Sequence, residues 1–572
     1  MRTTILTLAA LLGLALARPA HAQWFNDPYR GMVPVSLDST SDQAVRVLHL
    51  PNGNTIAVWG WGVNYEFPFK VRYQVVGPLG VPLLPANGIP VIDGEWQYGW
   101  YAAHLMPDGF GGAIVVFGDS RNGMKDIYGQ RFDSLGNRLW GPTGMPIAVW
   151  PDSQDISLSD VCCDSAGGFF VAWTVQQEWL NIDTYVQKFD ANGRRIWGNY
   201  GAAACTAIGN QNGPEIVADG RGGVIDVWVD NRPAGFDYYL YGQHIDPSGH
   251  SLWTRQGVQL VAPHFGIMWS PGVKDGVPDG MGGGVWAFAQ GIGSQELWRF
   301  RLVDPGRVVW LGITEISVSY DVEELLRHPG DGMVWLSVLE HRGIPDLWFY
   351  HLYRFNALTG EQLLGPSGIH LGAVNQYYGA TFTSITPTSD GVIAFLAYDI
   401  REISHLTAWR VSNSGTIFWR SEVALGGPSA LGGQAYDRPW STSDGADGAI
   451  CAWQDWRNYT VQNNNVNIYA QRVLRNGQLG NPPSAAQLQP SSPTAGLSES
   501  AGIIRYVLPQ AGEVKLELFD LLGRRVALLE QRYRPAGEQM TRLNRQDYPS
   551  GIYWLRLTTA GQQQLLKVVI VR

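Results

Sequence analysis

The sequence predicts an all-β protein, an eight-bladed β-propeller followed by a small immunoglobulin-like β-sandwich. Three observations carry that expectation. A unit of about 51 to 60 residues recurs eight times along the first 480 residues. Each copy reads as short strands of alternating or continuous apolar residues between Gly and Asp turns, the signature of antiparallel hairpins. Beyond residue 481 the composition changes, and the last seventy or so residues show another pattern.

One copy runs Asp108-Gly-Phe-Gly-Gly-Ala-Ile-Val-Val-Phe117, Asp119-Ser-Arg121, Asp126-Ile-Tyr-Gly-Gln-Arg-Phe-Asp133 and Gly136-Asn-Arg-Leu-Trp140. The pattern returns at Asp164, Asp219 and Asp279, more loosely at Asp331, then at Asp390 and Asp444, with an opening copy at Pro51-Asn-Gly53. Four-stranded units repeated radially bury their faces against two neighbours, which is the logic of a propeller. The count falls to seven if the unit near Asp331 is irregular. One bulky aromatic per unit (Trp59, Phe117, Trp173, Trp228, Phe288, Trp453) is expected to fill the wedge between blades.

The ends suggest closure. Units two to four continue into a Gly-x-x-Ile/Val stretch such as Gly144-Met-Pro-Ile147, which the last unit lacks where it stops at Gly480-Asn-Pro-Pro483. Gly31-Met-Val-Pro-Val35 supplies a spare copy, so the first segment is expected to complete the last blade. An open solenoid would leave sheet edges unprotected.

Residues 1–22 read as a secretory signal peptide, with Arg2, an apolar run from Ile5 to Ala17, and Ala20-His21-Ala22 placing cleavage between Ala22 and Gln23. The run is shorter than the roughly 20 residues of a membrane span. No later stretch of that length is free of charge and turns, so no transmembrane segment is expected after signal removal. The domains expected next are a propeller over 23–480, a flexible linker over 481–500 rich in Pro, Ser, Ala and Gln, and a C-terminal domain over 501–572. Charged residues are only 16%, with a net charge of −9, which argues against a nucleic-acid partner. Residues 500–572 carry a net +5, against −16 for residues 23–499, so the two parts face different partners.

In the C-terminal part, Leu508-Pro509 and Gly512 lead into a strand ending at Asp520, with Gly523-Arg524 just after it. Pro549-Ser550-Gly551 and Tyr553 open another strand, and Lys567 lies in the last. This series resembles the type A C-terminal sorting domain of the type IX (Por) secretion system. Where that family usually carries Pro-Asn-Pro ahead of the domain, this chain has Leu488-Gln-Pro-Ser-Ser-Pro493. The resemblance implies recognition by the type IX machinery and secretion to the medium or to the outer-membrane surface of a diderm bacterium of the Bacteroidota or a related group.

No nucleophile elbow, zinc-protease motif, phosphate loop or Cys-x-x-Cys pair is present. The recurring Asp-x-Arg tripeptides, Asp119/Arg121, Asp230/Arg232, Asp399/Arg401 and Asp455/Arg457, place acid and guanidinium on one strand face. They are read as a structural repeat motif, with a ligand-binding rim as the functional alternative. The stretches Asp133 to Trp140 and Asp190 to Trp197 are similar to the tryptophan-docking turns of quinoprotein dehydrogenases, which are structural there. Of four cysteines, Cys163 and Cys205 are the expected disulfide, and Cys451 is expected buried and free. No cofactor is expected; calcium is conceivable only in the Asp/Gly turns. The function read from the sequence is a non-catalytic binding or display module for an extracellular polysaccharide or protein. The alternative is an extracellular enzyme at the propeller channel, a glycan hydrolase or lyase, or a quinoprotein. Asp160, Glu323 and Glu324 are the acids such an enzyme could use.

Overall fold

Eight four-stranded antiparallel sheets succeed one another along the first part of the chain. The computed structural model describes residues 24–570 except 27–31, 38–40, 64–65, 95–102, 151–153, 165–166, 179–180, 233–238, 262–272, 291–294, 317–318, 343–346, 376–379, 401–402, 427–435, 457–464, 482–497, 501–502, 509–511, 521–523, 535–536 and 560–561. The chain divides into two compact units, Met1–Gly480 and Asn481–Arg572.

Each sheet of the first unit is a blade. Blade 3, for example, is Ile156–Cys163, Phe169–Glu178, Asn181–Phe189 and Ala202–Cys205, paired in that order. The inner strands of blades 1 to 8 are Ser41–His49, His104–Pro107, Ile156–Cys163, Gln211–Ala218, Val273–Pro278, Ser319–Arg327, Ala380–Thr388 and Tyr436–Ser443. Each adjoins the next, and the eighth adjoins the first, so the ring is closed. The looser copy near Asp331 forms a full blade with Val334–Arg342, Leu347–Phe355 and Ile369–Asn375. The seven-blade alternative is thereby removed.

Closure happens as the spare N-terminal copy suggested. Val33–Pro34 forms the outer strand of blade 8, with Val33 opposite Ala470 and Pro34 opposite Tyr469. Val33 and Val35 are fully buried among Ile450, Ala452 and Ile468. The same segment delivers a tryptophan. Trp197, Trp310 and Trp419 each donate an indole N–H to a carbonyl in the outer turn of the following blade, at 2.9, 3.1 and 2.9 Å. Blade 8 has no Trp after its own turn, and Trp24 donates instead to Pro78 of blade 1 at 3.1 Å. The docking Trp of the last blade thus comes from the start of the chain.

The expected aromatics Trp59, Phe117, Trp173, Trp228, Phe288 and Trp453 are all buried. They stand at one register position of the second strand, where blades 6 and 7 carry Val338 and Leu396. In these two blades buried aromatics stand at other positions instead, Trp335 and Tyr350 in blade 6 and Phe395 and Tyr398 in blade 7.

The second unit holds a three-stranded sheet (Ser498–Ser500, Ile503–Leu508, Gly537–Arg542) and a four-stranded sheet (Arg525–Arg534, Gly512–Phe519, Gly551–Thr559, Gln562–Ile570). Ile504 and Tyr506 of the first pack on Leu516, Leu518, Leu555 and Leu557 of the second, making a two-layered sandwich. Two expectations change, the linker's end and the disulfide. The end of the expected linker, Ser498–Ser500, is a strand paired with Ile503–Arg505, and 482–497 lie outside the described residues. The signal cleavage at Ala22 and Gln23 also lies outside them.

The Cys163–Cys205 disulfide is not formed: all four cysteines are free. Cys163 ends the inner strand of blade 3 and Cys205 ends its outer strand, with two strands between them. Three interstrand spacings amount to about 14 Å. A disulfide needs Cα atoms within about 7 Å. Cys451 is buried and free, as expected.

Candidate functional site

The inner strands bring unlike side chains together around the ring axis. In blades 1, 3, 4, 5, 6, 7 and 8 the pairing of the inner strand with its neighbour slips at a bulge. A bulge adds a residue to one strand and re-aims the side chains beyond it. At or just past it, one register position carries Arg46, Asp160, Glu215, Asp275, Glu324, Ser384 and Trp440 in those blades, and His104 holds the position in blade 2. Acids therefore occupy four consecutive blades, 3 to 6. Blades 8, 1 and 2, on the far side of an eight-membered ring, carry Trp440, Arg46 and His104.

The described acids are tied into the ring. Asp160 Oδ2 accepts the backbone N–H of Ile216 at 2.9 Å, and its Oδ1 accepts that of Val161 at 2.7 Å. Glu324 Oε2 accepts the N–H of Ile385 at 2.8 Å, and Ser384 Oγ accepts that of Ser441 at 3.0 Å. Each of these interblade bonds runs from the ring position of one blade to the residue just after it in the next. Burial pushes the Asp160 carboxyl up to about 7, with Glu215 hydrogen-bonded beside it. Around neutral pH this pair holds a proton between two carboxyl groups. On the far wall the Arg46 guanidinium lies 4.1 Å over the ring of Trp440, which is 36% exposed. Burial and Arg46 push His104 down to about 4, so it is a neutral imidazole.

The two Asp-x-Arg pairs that are described in full, Asp119/Arg121 and Asp230/Arg232, are braces, the second of which also reaches the preceding blade. Arg121 donates Nε and Nη2 to Asp119 at 3.0 and 2.6 Å and lies 3.7 Å over Tyr128 of the third strand. Arg232 donates Nε to Asp230 at 2.9 Å, lies over Tyr241 at 4.0 Å and reaches Cys205 Sγ at 3.0 Å. Trp228 adds an indole N–H to Asp230 at 2.9 Å. Asp455 is buried beside Trp453, at 3.4 Å from its indole N. Arg401 and Arg457 lie outside the described residues, as does the side chain of Asp399.

A second set of acid–cation pairs went unrecognised in the sequence. In four first turns the Asp uses Oδ1 to accept backbone N–H groups two and four residues on: Asp108 from Phe110 and Gly112, Asp219 from Arg221 and Gly223, Asp279 from Met281 and Gly283, Asp444 from Ala446 and Gly448. The Oδ2 of the turn Asp meets a cation of the third strand: Asp108 with Arg131 at 2.8 Å, Asp164 with Lys188 at 3.1 Å, Asp219 with His244 at 2.9 Å. Asp279 with Arg301 and Asp444 with Arg472 repeat it, at 2.7 and 2.8 Å. The signal lay in the third strands, where Gln130-Arg131, Gln187-Lys188, Gln243-His244 and Gln471-Arg472 put a basic residue at one place. The turn Asp residues are thus satisfied by protein groups. Among the described residues no group of three or more His, Cys, Asp or Glu could hold a metal ion.

In the second unit, Glu517 is buried among Lys515, Arg525 and Arg556 at 2.9, 3.0 and 2.6 Å, and its carboxyl falls to about 2. The expected motif residues Gly512, Asp520, Arg524, Pro549, Ser550, Gly551 and Tyr553 border these strands. Asp520 receives Arg524 Nε at 2.8 Å, and Tyr553 donates its hydroxyl to Pro549 O at 2.9 Å. Pro509 and Gly523 lie outside the described residues, as do the side chains of Leu508 and Lys567. Residues 502–571 match the family model described as the secretion system C-terminal sorting domain. This unit is a type IX sorting domain. The sorting domain addresses the chain to the cell surface or beyond it. Among the described residues no helix is long and apolar enough to cross a membrane.

No curated protein matches the chain. Among solved structures, an α-L-arabinanase of Penicillium chrysogenum is similar at 12% identity, covering 54% of this chain and 92% of its own, with a TM-score of 0.33. A Dyadobacter fermentans protein of unknown function is similar at 10% identity, covering 68% and 95%, with a TM-score of 0.32. The α-L-arabinofuranosidase Arb93A of Fusarium graminearum is similar at 12% identity, covering 57% and 98%, with a TM-score of 0.32. At this level of superposition they bear on neither the blade count nor the chemistry.

Proposed function

We propose that the first unit is a non-catalytic receptor for an extracellular polysaccharide, made with a signal peptide over 1–22 and delivered by its sorting domain. The observation that carries this is the wall formed by Trp440 and Arg46, an exposed indole under a stacked guanidinium at the ring position of the inner strands. An aromatic face takes the apolar face of a sugar, and neighbouring polar groups fix its hydroxyls. The acids opposite are poor catalysts. A retaining or inverting glycosidase separates its two carboxyl groups by roughly 5 to 9.5 Å. Asp160 and Glu215 are bonded to each other, and both Asp160 oxygens are also held by backbone N–H groups.

The test is calorimetric titration of the full chain with a panel of neutral and acidic polysaccharides. Binding is expected for one class, weakened tenfold or more by Trp440→Ala and by Arg46→Ala, with no new reducing ends. Binding that ignores both substitutions would sink this reading. Release of oligosaccharides would favour the second reading, a hydrolase or lyase. That reading is supported by a carboxyl that keeps its proton near neutrality beside Glu215, and Asp160→Asn would then abolish turnover. Export is tested separately. Deleting residues 502–571 should leave the protein inside the native host's envelope, and arrival in the medium would refute the address.

A further inference from the structure

Among the described residues, seven first turns are locked by a cation from the third strand, and one of those cations titrates. Six are Arg131, Lys188, Arg301, Arg354, Arg410 and Arg472, side chains that stay charged through the neutral range. Blade 4 uses a histidine. His244 Nε2 lies 2.9 Å from Asp219 Oδ2, and its Nδ1 lies 2.6 Å from Asp304 Oδ1 in the outer turn of blade 5. A neutral imidazole has one N–H and one bare lone pair, so only the imidazolium donates to both carboxylates. Burial opposes that charge, but the hydrogen bonds to Asp219 and Asp304 outweigh it and raise His244 above its ordinary value. Trp253 of blade 4 donates to the same Asp304 oxygen at 2.8 Å, where Trp24, Trp197, Trp310 and Trp419 meet backbone carbonyls. The polar contact between these outer turns thus rests on one titratable cluster.

The other side of blade 4 also depends on protons. Asp160 of blade 3 is hydrogen-bonded to Glu215 of blade 4, and two carboxyl groups form such a bond only with a proton between them. On the second strand of blade 4 Asp226 is fully buried, its Oδ2 3.4 Å from Thr184 Oγ1 of blade 3 and its Oδ1 without a partner. It stands opposite Gln243, where Val115 stands opposite Gln130 in blade 2 and Val171 opposite Gln187 in blade 3. An ionised carboxylate at a place built for an apolar side chain is costly. Burial, with the Asp160 charge nearby, holds the Asp226 carboxyl well above the ordinary range, so it is a neutral acid. The titratable groups facing Asp160 and Asp226 are each other, Glu215 and Cys162, and those facing His244 are Asp219 and Asp304. Lys188 of blade 3 reaches the same first turn at Gly222 O, and it is paired with Asp164.

We infer that blade 4 is a proton-held latch in the ring, seated on blades 3 and 5 at acid and neutral pH and loosened ahead of the other blades as pH rises. The latch follows from the contacts of blade 4 and holds whatever the ring binds. Asp160, Asp226 and His244 each bind a proton more tightly in the folded chain than in the unfolded one, so their contributions are complete at low pH. The loss runs from about pH 4 to 7 for Asp160 and from about 6.5 upward for His244. The test is hydrogen exchange of the full chain from pH 6 to 9, read by mass spectrometry and corrected for the intrinsic rate at each pH. Protection of Val224–Asp230 and Tyr239–Ile245 is expected to fall about tenfold or more relative to Ala449–Asp455 of blade 8, whose lock is Arg472. His244→Arg and Asp226→Val copy residues that other blades use, and together they should bring that fall below about threefold. A second measurement needs no variant. Deuterium uptake at the ring carbon Cε1 of His244 follows loss of the imidazole proton, and its midpoint should lie above the ordinary histidine value of about 6.5. A midpoint at or below that value, equal loss of protection in blades 4 and 8, or a fall that survives both substitutions would overturn the inference.

Discussion

Asp160 of blade 3 bonds the inner strand of blade 4 through the N–H of Ile216, and the same residue carries a carboxyl lifted to about 7. A free aspartate titrates near 3.9. The folded chain therefore binds more protons than the unfolded chain between those values, and this group's contribution to stability is complete below about pH 4. It is lost as pH rises towards and through 7. Each tenfold difference in proton affinity is worth about 1.4 kcal/mol. Thermal melts of wild type and Asp160→Asn between pH 4.5 and 8 should show the wild-type advantage shrinking with rising pH. An advantage that grows with pH would contradict the assignment.

Val33 is fully buried where the N-terminal strand closes blade 8. Val33→Asp places a charge in that seam and should cost about 3 kcal/mol or more in chemical denaturation. Leu37→Asp, beyond the strand at a site 55% exposed, should change stability by less than about 0.5 kcal/mol. Equal effects would show that the seam does not hold the ring.

Four free thiols make a simple count. With a thiol reagent at pH 8, only Cys163 should react in the folded protein, and slowly, because desolvation and the Asp164 carboxylate hold its thiol up at about 11. All four should react in denaturant without a reductant. A count of two would restore the disulfide that the strand order argues against.

Glu517 in the sorting domain titrates in the opposite sense. Its folded carboxyl lies near 2, below the ordinary glutamate value of about 4.3. The stability it gives is present above about 4 and is lost as pH falls towards 2. Hydrogen exchange over Leu516–Phe519 should therefore quicken across that window in the wild type. In Glu517→Gln it should be fast already at pH 5, since Lys515, Arg525 and Arg556 then converge on a neutral group.

The repeat, its eight copies and its closing segment were legible because turns are spelled in the chain: Asp, Gly and a buried aromatic return at fixed places. The inner ring was not legible, for a physical reason. Its eight members are of six residue types, from Arg46 to Trp440, at a position that repetition makes equivalent. A bulge, which sequence does not mark, then sets the register. Asp160 and Glu324 were visible as acids, but nothing in the chain said that both stand at the same level of the ring. Trp24 was hidden because its role belongs to a blade more than 400 residues away. The disulfide expectation failed because strand order, not sequence spacing, decides which cysteines meet.

Val33 pairs with Ala470, and the sorting domain starts only at residue 502. A ribosome makes these in order, so a chain that displays a whole export address has already made both halves of its own clasp. A chain that stops before residue 470 lacks one half of the clasp and the whole of the address. The order of segments thus acts as a completeness check, withholding delivery from any copy that could not shut.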